Sequence, residues 1–293
     1  MCPRGARHAG TARGRRARAQ RQAAGRASGL SMASTKDDAI VVEGFGEIGT
    51  KLTWYCDPAG WPESKLPSQS EGRGGKWCVD GEGSLVVEPP TKKDFWRKTY
   101  YQPVLCKDDG PCLFATVASD EVVTMQTSFT LDPKKQFDQA GLCVRLDHEH
   151  WIKTGIECVD GQPRLSCVVT NVYSDWSTQP WPTSTLRIRL HRMGASYVVE
   201  AQPLASGDDE WAFIRICHLS LESVVTAEDP LRSIGCDEGA AAPAGHVWMG
   251  VFACCPEEQA GCTATFHEFS IVRGTSFEHN ADGNHDDDDA AAL

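Results

Sequence analysis

The feature that most constrains this sequence is a succession of short segments in which apolar and polar residues alternate with a period of two. In residues 186–190, for example, Leu186, Ile188 and Leu190 alternate with arginines. A period of two places successive side chains on opposite faces of a β-strand, so that one face packs against a core. No segment keeps the 3.6-residue period of a helix for more than about two turns.

Similar segments recur at intervals of about 8–15 residues, and turn-forming pairs such as Asp160-Gly161 and Met193-Gly194 separate them. The predicted strands lie within residues 41–55, 84–88, 113–119, 122–131, 142–146, 151–157, 165–170, 186–190, 197–202, 211–221, 247–254 and 263–272. Ten or more strands at this spacing, without an internal repeat, predict an all-β antiparallel jelly-roll sandwich in one domain.

Charge is divided unevenly along the chain. Of the 29 lysines and arginines, nine lie in residues 1–36, which contain no Asp or Glu; this leaves 20 against all 40 acidic residues in 37–293. We interpret 1–36 as a basic disordered leader or as a transit peptide, which is likewise rich in Arg and poor in acids. The acidic stretch at the other end predicts a disordered tail at 276–293. The sandwich is therefore predicted to occupy residues 37–275.

This composition argues against two classes of protein. A body with a net charge of −20 repels a phosphate backbone, so we expect no nucleic-acid partner. No apolar run approaches the roughly 18 residues of a membrane helix, so no membrane span is predicted. A ligand for such a body is expected to be neutral or cationic.

The 13 cysteines are odd in number, form no C-x-x-C pair and accompany no Asn-x-Ser/Thr sequon. A secreted disulfide framework is usually a short chain with an even count. We therefore expect mostly buried free thiols in a reducing compartment, which favours the cytoplasm; an organelle is the alternative if residues 1–36 are a transit peptide. No cofactor is predicted, and no metal site either, since His148 and His150 are too few ligands.

The densest pattern lies in residues 137–181. Taken as a strand, residues 151–157 place Trp151, Lys153 and Glu157 on one face, and a second strand follows the turn at Asp160-Gly161. Charged residues facing another sheet would be costly unless paired. We therefore expect this row of an aromatic ring, a cation and a carboxylate to line a solvated concave surface.

This stretch resembles the family known as domain of unknown function 1349, whose named members are fungal regulators of enolase. The resemblance covers about residues 45–273. The matching blocks are Phe137-Asp138-Gln139-Ala140-Gly141-Leu142, Trp151-Ile152-Lys153, Gly155-Ile156-Glu157, Leu165-Ser166, Ser174-Asp175-Trp176-Ser177, the Trp-Tyr-Cys-Asp-Pro at 54–58, the DFWRKTYYQP at 94–103, Trp248-x-Gly250-x-Phe252 and Phe266-x-x-Phe269.

The resemblance implies a concanavalin A-like sandwich of two curved antiparallel sheets, whose concave face binds or cleaves saccharides in better-known relatives. It does not imply an activity. It also suggests a regulatory contact with a glycolytic enzyme such as enolase. We therefore expect a non-catalytic carbohydrate-binding or metabolic-regulatory protein whose partner is a saccharide, another small polar ligand or a metabolic enzyme.

The candidate ligand-binding residues are Arg145, Trp151, Lys153, Glu157, Ser166, Asp175 and Trp176. In this interpretation Trp151 or Trp176 stacks on a sugar ring and the polar groups fix its hydroxyls. Two alternatives stay open. Lys153 and Glu157 could form a structural cross-strand ion pair, and residues 174–177 could form a turn that holds Trp176 as packing.

Catalysis is the remaining alternative. Glycoside hydrolases use two carboxylates about 5–9 Å apart, one of them with a raised pKa. The laminarinase-type branch of this fold carries them as Glu-x-Asp-x-x-Glu on one strand, and that string is absent from the sequence. We therefore predict no catalytic residues, with Glu157 as the candidate carboxylate if the protein is a cryptic hydrolase or lyase.

Overall fold

The computed structural model describes residues 40–58, 75–207, 210–221, 239–258 and 261–277. The predicted leader at 1–36 and nearly all of the predicted tail at 276–293 lie outside the described residues. Within them the protein consists of β-strands joined by turns and loops, and no helix there is long and apolar enough to cross a membrane. The strands are β1 (Ile40–Glu43), β2 (Leu52–Tyr55), β3 (Lys76–Val79), β4 (Leu85–Glu88), β5 (Phe95–Arg97), β6 (Cys106–Asp108), β7 (Cys112–Ala118), β8 (Val123–Asp132), β9 (Gln139–Arg145), β10 (His150–Val159), β11 (Gln162–Asn171), β12 (Tyr173–Pro180), β13 (Thr185–Met193), β14 (Ser196–Gln202), β15 (Ala212–His218), β16 (His246–Cys254) and β17 (Thr263–Arg273).

The strands form two large antiparallel sheets. The eight-stranded sheet has the order β15-β14-β13-β8-β17-β4-β3, with β1 added beside β17. The seven-stranded sheet has the order β12-β11-β10-β9-β16-β7-β2, and β5 and β6 form a separate hairpin. Strands distant in sequence, such as β9 and β16, are neighbours, as a jelly roll requires. The predicted all-β sandwich is confirmed.

The main core lies between the two sheets. The apolar residues of the predicted alternation face it: Leu186, Ile188 and Leu190 of β13 are fully buried there, together with Ile152 and Ile156 of β10. Each such side chain contributes about 1.5–3 kcal/mol by leaving water. The opposite face of the seven-stranded sheet, which we call its outer face, carries the alternate residues of the same strands.

Four strands were not predicted as separate elements. They are β3, β5, β6 and β12, and the first three span only three or four residues. The three short runs contain too few residues to show a period of two, whereas the eight residues of β12 are mostly polar and partly exposed. Residues 174–177, for which a turn was an alternative, lie in β12, the edge strand of the seven-stranded sheet.

The β5–β6 hairpin lies across the outer face of the seven-stranded sheet. Phe95 of β5 packs on Trp151 of β10, with 5.7 Å between ring centroids, and on Tyr55 of β2 at 6.3 Å. A second apolar cluster, which also contains Trp96 and Phe252, fills the space between hairpin and sheet. The expectation of a solvated surface is therefore wrong at Trp151, which is 1% exposed because a distant hairpin covers it.

The described cysteines are mostly buried thiols. Eight of the ten free cysteines are buried, whereas Cys56 is exposed and Cys78 is half-buried. Cys106 differs from them because it is disulfide-bonded. Most of these residues therefore act as small apolar side chains.

Candidate ligand-binding pocket

A pocket remains open on the outer face beside the β5–β6 hairpin, over strands β10, β11 and β12. Its cavity volume is about 210 Å³, somewhat below the roughly 300–1,000 Å³ of drug-sized small-molecule sites, so it suits a small ligand. Four aromatic rings and four charged groups dominate its surface. The lining residues are Asp94, Trp96, Tyr101, Leu105, Phe137, Lys153, Glu157, Val168, Trp176, Pro256 and Glu257.

A buried ion pair forms part of the pocket floor. The Lys153 ammonium donates to Oδ1 of Asp94 over 2.8 Å, and Lys153 is only 3% exposed. The same oxygen accepts hydrogen bonds from the backbone N–H of Phe95 (2.7 Å) and from Nε2 of Gln139 (3.1 Å). Because Asp94 directly precedes β5, this carboxylate ties the hairpin to the sheet beneath it.

Glu157 and Trp176 are connected through Ser166. The Ser166 hydroxyl donates to Oε2 of Glu157 over 2.6 Å, and Nε1 of Trp176 donates to the Ser166 oxygen over 2.9 Å. These three residues come from β10, β11 and β12, so sheet register brings them together. The hydrogen bond fixes the orientation of the Trp176 indole, which is 36% exposed at the pocket.

The surroundings of the pocket floor shift the pKa of two residues, Glu157 and Lys153. Burial raises the pKa of the Glu157 carboxyl, and the Lys153 ammonium and the Ser166 hydrogen bond only partly oppose this effect. Burial by itself acts to lower the pKa of Lys153, but the carboxylates of Asp94 and Glu157 outweigh it and the net shift is upward. The pocket therefore keeps its ammonium charged and holds one carboxyl that takes up a proton more readily than usual.

We expect the raised pKa of Glu157 to make stability depend on pH. Between the ordinary value of 4.5 and the raised pKa, the folded chain binds more protons at this site than the unfolded chain does. The stabilising contribution of Glu157 to the free energy of unfolding is therefore fully present below pH 4.5. It is lost as the pH rises through the raised pKa, with a slope of up to about 1.4 kcal/mol per pH unit. Urea unfolding at several pH values should show a shallower decline for Glu157→Gln than for the parent. Identical slopes would show that Glu157 titrates normally.

The structure brings four of the seven candidate residues together. Lys153, Glu157 and Trp176 line the pocket, and Ser166 bonds two of them. Lys153 and Glu157 do not form the alternative cross-strand ion pair, because both belong to β10 and Lys153 pairs with Asp94.

The other three candidates lie elsewhere. Trp151 is 1% exposed beneath Phe95, so its ring has no free face for a sugar. Arg145 is fully buried in a closed cluster, where it pairs with Asp108 and donates to the Ala240 carbonyl over 3.0 Å and 2.8 Å. Asp175 is exposed and pairs with Arg215 of β15 at 3.1 Å.

Several lining residues are not among those predicted from the sequence. Asp94, Trp96 and Tyr101 precede Lys153 by some fifty residues, and Phe137 and Glu257 come from two further loops. The signal available for Asp94, Trp96 and Tyr101 is the aromatic density of residues 94–103. Among the described residues, no group of three or more His, Cys, Asp or Glu side chains is arranged to hold a metal ion.

The fold and the pocket together define a jelly-roll sandwich protein with an aromatic-walled pocket on the outer face of one sheet. The chain belongs to the family described as "Protein of unknown function (DUF1349)", whose model matches residues 73–273. It is 30% identical over 190 residues to "Regulation of enolase protein 1" of Saccharomyces cerevisiae, a match that covers 65% of this chain and 82% of that protein.

Two further relatives are similar over comparable lengths. "Uncharacterized protein AN7484" of Emericella nidulans is 26% identical over 185 residues, which covers 60% of this chain and 80% of that protein. Among solved structures, a functionally unknown protein from Saccharomyces cerevisiae superposes with a TM-score of 0.56 at 25% identity. That superposition covers 77% of this chain and 98% of the other.

Proposed function

We propose that this protein is a non-catalytic binding protein that takes a saccharide in the pocket of the seven-stranded sheet. The observation that carries the proposal is the exposed Trp176 ring, which Ser166 holds by a hydrogen bond beside Glu157. An indole face suits the apolar face of a pyranose, and a few polar groups beside it fix the hydroxyls.

The polar groups of the pocket match a hydroxylated ligand. The Glu157 carboxylate uses one oxygen for Ser166 and is a strong acceptor for ligand hydroxyls. The Lys153 ammonium carries three N–H donors, one of which is directed at Asp94. Donors and acceptors side by side, next to an aromatic platform, can satisfy both hydrogen-bonding roles of a sugar hydroxyl.

Hydrolase activity is the second candidate, and the raised pKa of Glu157 favours it as a general acid. Against it, Asp94 accepts three hydrogen bonds at Oδ1, one of them from the Lys153 ammonium. This carboxylate is committed to holding the hairpin and is poorly placed to act as the nucleophile or base that glycoside cleavage also needs. If Glu157→Gln leaves any detected glycosidase rate unchanged, Glu157 is not a catalytic carboxylate.

A metabolic-enzyme partner is the third candidate, and the printed name of the yeast relative supports it. In this proposal the protein works in the cytoplasm, where saccharide occupancy of the pocket controls contact with a glycolytic enzyme such as enolase. A pull-down from cell extract with the full chain tests the contact. Absence of enolase and of other glycolytic enzymes from the captured proteins would count against it.

Replacing Trp176 by alanine is expected to weaken saccharide binding at least about tenfold, because loss of a stacking ring costs on the order of 1–2 kcal/mol. Binding is measured by a glycan array followed by calorimetry with glucose and the best array ligands. The matched control is Trp211→Ala, since Trp211 lies against Arg187 and Arg189 of the other sheet. No saccharide binding near millimolar concentration, or equal affinity of parent and Trp176→Ala, would refute the proposal.

A further inference from the structure

The pocket that we propose as a saccharide site carries unbalanced negative charge. Its described lining contains the carboxylates of Asp94, Glu157 and Glu257 and a single ammonium, that of Lys153. The Lys153 ammonium pairs with Asp94 at 2.8 Å and also attracts Glu157, so three carboxyl groups share one positive charge in this lining. A neutral sugar would leave this imbalance in place.

Glu257 is the carboxylate at the exposed rim. The neighbouring Glu258 pairs with Lys92, whereas Glu257 has no basic partner among the described residues. Glu157, at the floor, is 6% exposed; the Lys153 ammonium attracts it, and the Ser166 hydroxyl and the Trp176 indole lie beside it as neutral donors. An ammonium group bound between floor and rim would be attracted by both carboxylates.

The aromatic walls favour the same kind of group. Trp96 stands at 89° to Trp176 and at 82° to Tyr101, and Phe137 stands at 75° to Trp176, with 5.7–6.3 Å between ring centroids. Because neighbouring rings are nearly perpendicular, the four rings form walls that face the pocket from different directions. The electron-rich face of an aromatic ring attracts organic cations, and aromatic cages bind them in this way.

We propose that the pocket selects a ligand in which an ammonium group stands beside the hydroxyls, which makes it an amino-sugar site. This inference rests on the proposed function, because it concerns the same pocket and names the class of saccharide. Trp176 provides the stacking face for the ring, and Glu157 and Glu257 receive the ammonium group.

The test compares three sugars that share one pyranose ring and differ in the group at its second carbon, by calorimetry on the full chain at about pH 6, where an amine of ordinary pKa is protonated. Glucosamine is expected to bind at least about fivefold more tightly than glucose or N-acetylglucosamine, since one cation–π contact with partial ion pairing supplies that much. Glu257→Gln should reduce the preference to about twofold or less. Glu258→Gln removes the same charge one residue away from the pocket lining and should retain the preference.

The outcomes separate the two proposals. Equal affinity for all three sugars, lost in Trp176→Ala, would overturn the amino-sugar assignment and leave the saccharide site standing. Absence of binding by every sugar would remove the proposed function itself. Methylammonium binding as tightly as glucosamine would overturn the amino-sugar assignment in favour of a simple cation site. Tighter binding of glucosamine that Glu257→Gln and Glu258→Gln reduce equally would also overturn it, because long-range charge alone would then explain the preference.

Discussion

Replacing Lys153 by methionine is expected to lower the free energy of unfolding by about 3–5 kcal/mol, the usual cost of breaking a buried ion pair from one side. Lys153 is 3% exposed and its ammonium pairs with Asp94 at 2.8 Å. Methionine keeps most of the side-chain volume, so the change removes charge with little change in packing. It leaves the carboxylate of Asp94 and the carboxyl of Glu157 in the pocket floor without their cation.

Urea unfolding of parent and variant measures this effect, and Lys93→Met is its control. Lys93 also pairs with an aspartate, Asp109, at 2.9 Å, but both side chains are more than a third exposed. An exposed pair contributes at most about 1 kcal/mol. The double variant Lys153→Met with Asp94→Asn should recover part of the loss, because it removes both charges. A cost for Lys153→Met no larger than that for Lys93→Met would mean that this pair does not hold the hairpin on the sheet.

Gly155→Ala, which adds one methyl group, is expected to lower the free energy of unfolding by about 3 kcal/mol. A Cβ atom there would lie 2.0 Å from the carbonyl oxygen of Ala140 and 2.7 Å from the Cα of Gly141. Both atoms belong to the backbone of β9, in the middle of the seven-stranded sheet, so neither can move without disturbing strand pairing. Overpacking of a core usually costs 1–3 kcal/mol, and a backbone clash lies at the upper end of that range.

Thermal unfolding is a suitable measurement for this variant. A loss of about 3 kcal/mol lowers the melting temperature by roughly 6–12 °C in a domain of this size. Gly81→Ala is the matched control, because nothing lies within 4 Å of a Cβ atom at that position. Melting temperatures that agree within a degree or two for the two variants would contradict the close approach of β9 and β10.

Much of the fold could be predicted from the sequence because the long strands carry their own signal. The period of two in β10 and β13 is local, and it correctly divides Ile152 and Ile156, which face the core, from Lys153 and Glu157, which do not. The position of Ser166 follows as well, since the tight turn at Asp160-Gly161 sets the register of β10 and β11. Local pattern and turn chemistry were sufficient for these residues.

The environment of the outer face could not be predicted in the same way. The sequence places Trp151, Lys153 and Glu157 on one face, but nothing in their spacing tells whether water or another element covers that face. The answer depends on β5 and β6, two strands of three residues each that are too short to show a period. Trp151 is buried and Lys153 is paired because this hairpin packs over them.

The sequence alone therefore determined the sandwich and the face on which each residue of the long strands lies, because hydrophobic alternation is a local property of the chain. Only the tertiary structure decided which of those residues remain accessible. The pocket joins Asp94, Glu157 and Glu257 from segments up to 163 residues apart. The three side chains lie close together because the hairpin and the loops pack on the sheet. A single sequence carries no periodic signal for this long-range packing.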